Sequence, residues 1–78
     1  MSATVNPIAN AMSRLKNEMK QDHSYAWSWH CNIAMALVDE GVTYAQGNKA
    51  AARFMMLAFE IDITQFREYR LLMVDRGE

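Results

Sequence analysis

His23, Trp27 and His30 fall at i, i+4 and i+7, so a helix over this stretch lines up an indole between two imidazoles. Cys31 follows directly, and Asp39 and Glu40 close the same run. These are the side chains of metal ligation, thiol nucleophilicity and carboxylate acid–base work. Their spacing argues against each. Zinc sites place their ligands in short pairs, and this stripe would need further ligands that the spacing does not supply. His30 and Cys31 point about 100° apart on a helix, so the imidazole does not face the neighbouring thiol. No oxyanion element or glycine-rich turn accompanies them. Asp39 and Glu40 are sequence neighbours at a helix end, where solvent accounts for them, with pairing to Lys49 or Arg53 across the next corner as a secondary role. The chain has no GxGxxG, no Walker loop and no HExxH, and its three glycines build no phosphate cradle. The expectation is a protein that is not an enzyme and uses no metal or cofactor. His30 is then a hydrogen-bonded residue in or near the core, and Cys31 a buried structural thiol.

Those residues need elements to hold them, and the periodicity throughout is helical. Asn6-Pro7 is a helix start, with Asn as cap and Pro in the first turn where its missing N–H does no harm. Ile8, Met12, Leu15 and Met19 recur at four, three and four, a narrow apolar seam. Asp22 is a competent cap for a second helix, so a break is expected between the two. In that second helix Ala26, Trp29/His30, Ile33 and Leu37 form one stripe, and Trp27, Cys31, Ala34 and Val38 form its neighbour. A helix apolar nearly all round is expected to be buried and central. Gly41 suits a left-handed C′ position. Thr43 and Gln46 then make a capping box for a third helix, whose Gly47, Ala51 and Ala58 leave room for a close neighbour. Asp62 and Gln65 read as a second capping box, with Ile61 stapled onto Phe66. The expectation is a compact all-α bundle of about four helices, roughly 7–20, 24–40, 44–60 and 63–74. It forms one domain over 1–78, with 1–5 and 75–78 frayed.

Composition narrows the function. Seventy-eight residues with one cysteine allow no internal disulfide, which suits a reducing cytoplasm. A net charge of −1 lacks the basic balance of a nucleic-acid binder. The opening MSATVNPIAN has neither a basic n-region nor an apolar h-region, so no signal peptide is expected, and no apolar run is long enough to span a membrane. Hydrophobic residues make up 51% of a very small chain and seven of them are methionine, more than a small core covers. That surplus points to a protein partner and to self-association as a homodimer through Met and Ala faces of the first or third helix.

Interfaces favour Trp, Tyr, Met and Arg, so Tyr25, Trp27 and Trp29 are the candidate aromatic contacts, with Arg67 and Arg70 as the polar part. Set against that, one tryptophan is expected in the core. The second and third helices also carry a faint helix-turn-helix pattern, in which Thr43, Lys49 and Arg53 would meet DNA. Gly47 stands where a recognition helix usually has a branched apolar residue, and the turn is acidic.

The run Trp27-Ser28-Trp29-His30-Cys31-Asn32-Ile33-Ala34, then Asp39-Glu40-Gly41, then Asn48-Lys49-Ala50-Ala51-Ala52-Arg53-Phe54-Met55, resembles small helical accessory proteins of tailed bacteriophages and prophages. The resemblance implies a protein of the infected bacterium's cytoplasm and transfers no activity or catalytic residue. As a class such proteins bind and block a host or phage component, which makes host takeover or anti-defence the expected setting.

Overall fold

The computed structural model describes residues 6–76, with Arg76 described in its backbone only. The expected fraying at 1–5, and at 77 and 78, lies outside those residues. Four α-helices and one 3₁₀ turn follow in order: α1 Pro7–Gln21, α2 His23–Asp39, α3 Tyr44–Phe59, the turn Ile63–Gln65, and α4 Arg67–Arg76. There is no strand among the described residues. The chain is a small all-α bundle.

Each boundary has a local cause. Asn6 Oδ1 accepts the backbone N–H groups of Ile8 at 3.0 Å and Ala9 at 3.3 Å, ahead of Pro7. Asp22 ends one helix and begins the next. Its backbone is extended, its N–H bonds back to Glu18 O, and its Oδ1 accepts Ser24 N–H at 3.2 Å and the Ser24 hydroxyl at 2.6 Å. Those bonds hold the Asp22 carboxyl below its ordinary range. α2 stops in a Schellman motif: Gly41, at φ +114°, donates to Val38 O, and Val42 donates to Leu37 O. The Thr43–Gln46 capping box then forms in full, opening α3.

The fourth helix departs from expectation. Asp62 accepts Thr64 N–H at 3.1 Å and the Thr64 hydroxyl, which closes a single 3₁₀ turn rather than opening a helix. Phe66 is extended, so α4 begins at Arg67 and not at 63, and it runs on through Asp75 to Arg76. The break lets Ile61, Ile63, Phe66 and Tyr69 all reach one hydrophobic cluster. That cluster also takes Met19 from α1, Ala26 from α2, and Ala52, Met55 and Phe59 from α3.

α2 is not enclosed all round as its apolar width suggested. The molecule measures 51 × 27 × 15 Å, so its thinnest dimension is little more than one helix of about 10 Å. α2 buries Ala26, His30 and Ala34 and leaves its opposite side in solvent; α3 is the better-buried helix.

α2 and α3 pack through small residues. Ala34, Ala45, Ala51 and Ala52 are buried, and a Cβ placed on Gly47 would stand 3.0 Å from Ala34 O and 3.1 Å from Val38 Cγ2. A helical glycine normally costs about 1 kcal/mol against alanine. Here the extra methyl would have to push a helix backbone away, and overpacking of that kind costs about 1–3 kcal/mol. Gly47→Ala is therefore expected to lower stability by about 1 kcal/mol net, read as a fall in Tm of roughly 4–8 °C. An unchanged or raised Tm would show that the helices separate freely.

Candidate functional site

His30 sits at the centre of the molecule with no solvent exposure. α2 aims it at α3, where Nε2 lies 3.1 Å from the backbone oxygen of Asn48. A carbonyl oxygen only accepts, so Nε2 carries the proton and Nδ1 is a bare lone pair. Nδ1 is buried and has no hydrogen-bond partner. The ring is stacked on Trp27, with centroids 4.7 Å apart and planes at 22°, and meets the edge of Tyr69 at 5.7 Å. Asn48 is itself buried and donates from Nδ2 to Tyr44 O at 2.8 Å. Burial pushes the His30 pKa below its ordinary value, and the bond to Asn48 O opposes this in part. A neutral, fully packed imidazole ties two helices together. No atom of it reaches solvent.

The other groups of the apparent chemical strip are dispersed. His23 is exposed at the opposite end of its stripe, edge-on to Phe66 at 5.2 Å and 3.7 Å from Glu68 Oε2. Cys31 is half-buried rather than buried, and burial raises its thiol pKa, so it stays protonated near neutrality. Among the described residues no three His, Cys, Asp or Glu side chains converge as a metal site would need. The pairing of Asp39 or Glu40 with Lys49 or Arg53 is not formed. The ion pairs among the described residues are Lys16–Glu60 at 3.1 Å and His23–Glu68.

The aromatic candidates divide between two sides of α2. Trp27 is half-buried and packs against the core cluster and His30. Tyr25 and Trp29 are 44% and 39% exposed on the outer side. With Ser24, Ser28 and Asn32 they line a shallow recess of ≈ 470 Å³. From Ser24 to Val38 this helix has no Asp, Glu, Lys or Arg. Arg67 and Arg70 lie elsewhere, in an open recess of ≈ 690 Å³ with His23, Gln65, Phe66 and Glu68. The alternative DNA-contact residues are also placed: Thr43 is occupied as the α3 cap, while Lys49 and Arg53 stand exposed on α3.

Sequence reasoning missed Asn48 and Tyr69 as partners of His30. A signal for Asn48 existed. It is a poor helix former in a helix interior, on the same side as Ala51 and Ala52 and one turn beyond Tyr44. Nothing in the spacing of Tyr69 links it to His30, because that contact depends on the 3₁₀ turn.

Comparison with protein-family models, curated proteins and solved structures returned no match to this chain.

The state of His30 gives a pH dependence with a definite sign. Its folded pKa lies below the ordinary 6.5, so in acid the unfolded chain binds a proton that the folded chain refuses. The stability is present above 6.5, is lost as pH falls through that value, and levels off below the folded pKa. For one group the slope is at most about 1.4 kcal/mol per pH unit. Tm measured from pH 7.5 to 5 should fall accordingly, and His30→Gln, whatever its starting Tm, should flatten that slope. An equal slope in the variant would assign the effect to another group.

Proposed function

We propose that this protein works by non-covalent binding of another protein, using the outer side of α2 as a contact surface. The observation that carries this reading is the exposure of Tyr25 and Trp29, one turn apart, on a helix face without a charged side chain. Large aromatics are what interface centres are enriched in, and lysine and acids are what they lack. Ser24, Ser28 and Asn32 supply donors and acceptors around the rings. Binding of this kind acts by occlusion: the partner's surface is covered and nothing is transformed.

The resemblance to phage accessory proteins supplies the setting, the cytoplasm of an infected bacterium, where the covered protein is a host or phage component and the outcome is host takeover or anti-defence. Homodimerisation belongs to the same proposal. Residues 7–14 of α1 are all exposed, so Ile8 and Met12 continue the Leu15–Met19 seam on the surface, Ile8 to 72% and Met12 to 37%. No helix among the described residues is long and apolar enough to cross a membrane.

The two tryptophans provide the test. Trp27→Ala should cost about 3 kcal/mol, as loss of a packed aromatic does. Trp29→Ala should cost less than about 1 kcal/mol. A tagged wild-type protein should retain a specific partner from bacterial lysate, and Tyr25→Ala with Trp29→Ala should release it while Tm stays nearly constant. Retention of the same partner by that folded double variant would remove α2 as the contact. For the dimer, light scattering should give twice the chain mass and Met12→Glu should halve it; a wild-type monomer would overturn it.

A further inference from the structure

We infer that the outer face of α3 is a second docking surface, and that its occupant is an acidic amphipathic helix of another protein. Ala50, Phe54 and Leu57 fall at i, i+4 and i+7 and are exposed, Phe54 to 48% and Leu57 to 76%. That spacing is how a helix presents an apolar line to a second helix laid along it. Lys49 and Arg53 flank the line, also exposed.

The charge on this face is one-sided. From Tyr44 to Phe59 the helix has no Asp or Glu, and among the described residues neither Lys49 nor Arg53 forms an ion pair. Two cations one turn apart repel each other. Asp39 and Glu40, the acids expected from the sequence to relieve them, do not pair with them. Carboxylates on a bound helix would, while its apolar side met Phe54 and Leu57. Two exposed large apolar side chains beside the cations favour a helix over a phosphate backbone, which offers nothing for them to pack against.

A second copy of this chain fits less well. Its acids are dispersed or engaged. Glu18 stands one turn before Asp22, but the Asp22 carboxylate is bonded to Ser24 and Met19 between them is buried in the core. Asp39 is the last residue of α2, and Glu68 and Asp75 are seven residues apart on α4. Glu68 is in addition engaged with His23. Among the described residues no helix therefore presents two unengaged acids one turn apart beside an exposed apolar line. This surface is distinct from the Tyr25–Trp29 side of α2, and the inference does not rest on that reading.

The probes are a synthetic helical peptide with Leu at i, i+3 and i+7 flanked by Glu, the same peptide with Lys in place of Glu, and a short DNA duplex. Each is titrated into the isotope-labelled full chain and followed by amide chemical shifts. The acidic peptide is expected to shift Ala50, Arg53, Phe54 and Leu57, to weaken with added salt, and to lose about tenfold in affinity with Arg53→Glu. Leu57→Ser should weaken it as well. Both side chains lie outside the core cluster, so circular dichroism should show both variants folded. The inference is overturned by no shift at about 1 mM acidic peptide, by equal binding of the lysine peptide, or by shifts that fall on Tyr25 and Trp29. It is also overturned if the duplex binds through Arg53 and the acidic peptide does not.

Discussion

The close approach of α2 and α3 is what the remaining structure is built on. It exists because Gly47 presents no Cβ where Ala34 O and the Val38 methyl pass, and because alanines line the same seam above and below. Only at that separation does the His30 imidazole reach a backbone oxygen on the facing helix. The bond is made inside the core, where an unmade one would leave the imidazole N–H stranded. It also consumes the acceptor capacity of a carbonyl whose own side chain is turned back to Tyr44 O. Trp27 and Tyr69 then close over the ring, and Tyr69 brings α4 with it. The largest aromatic residues of the core are thus arranged around one polar contact.

Much of this was legible in the sequence because it is local. Caps act within four residues, and Asn6, Asp22, Gly41 and the Thr43–Gln46 pair each do what their types and spacing imply. The all-α character follows from the same short-range signals, and Gly47 announced a close neighbour. What failed was information that no local pattern holds. Asp62 looks identical as the start of a helix and as the start of a 3₁₀ turn; the demand that both Ile63 and Tyr69 enter one cluster decides between them. The broad apolar surface of α2 read as burial on all sides, whereas a chain this thin leaves its outer side to solvent. Salt pairing between Asp39-Glu40 and Lys49 or Arg53 needs the side chains to share a side of the corner, which proximity in sequence does not guarantee.

The candidate surfaces were legible to different degrees for the same reason. Composition showed that apolar surface exceeded what a core could hold, and three aromatics close together marked where. Which ring faced solvent was decided by the position of α3, since the helix it packs against fixes the inner side of α2 and so turns Trp27 inward and Trp29 outward. Arg67 and Arg70 share a recess with His23, apart from the Tyr25–Trp29 recess. Polar and aromatic candidates are thus held on separate parts of the surface by the break at Phe66.

Asp22 is at once the C-cap of α1 and the N-cap of α2, so the two helices are joined with no intervening loop. A loop would absorb an inserted or deleted residue; a shared cap cannot. Each residue added or removed ahead of Asp22 turns α1 by about 100° about its own axis. That would swing Met19 and Leu15 off the cluster and bring Lys20 or Glu18 toward it. At this junction chain length is as tightly specified as any core side chain. Substitutions on the polar side of α1 leave its register intact, whereas a one-residue change of length would re-index the whole helix.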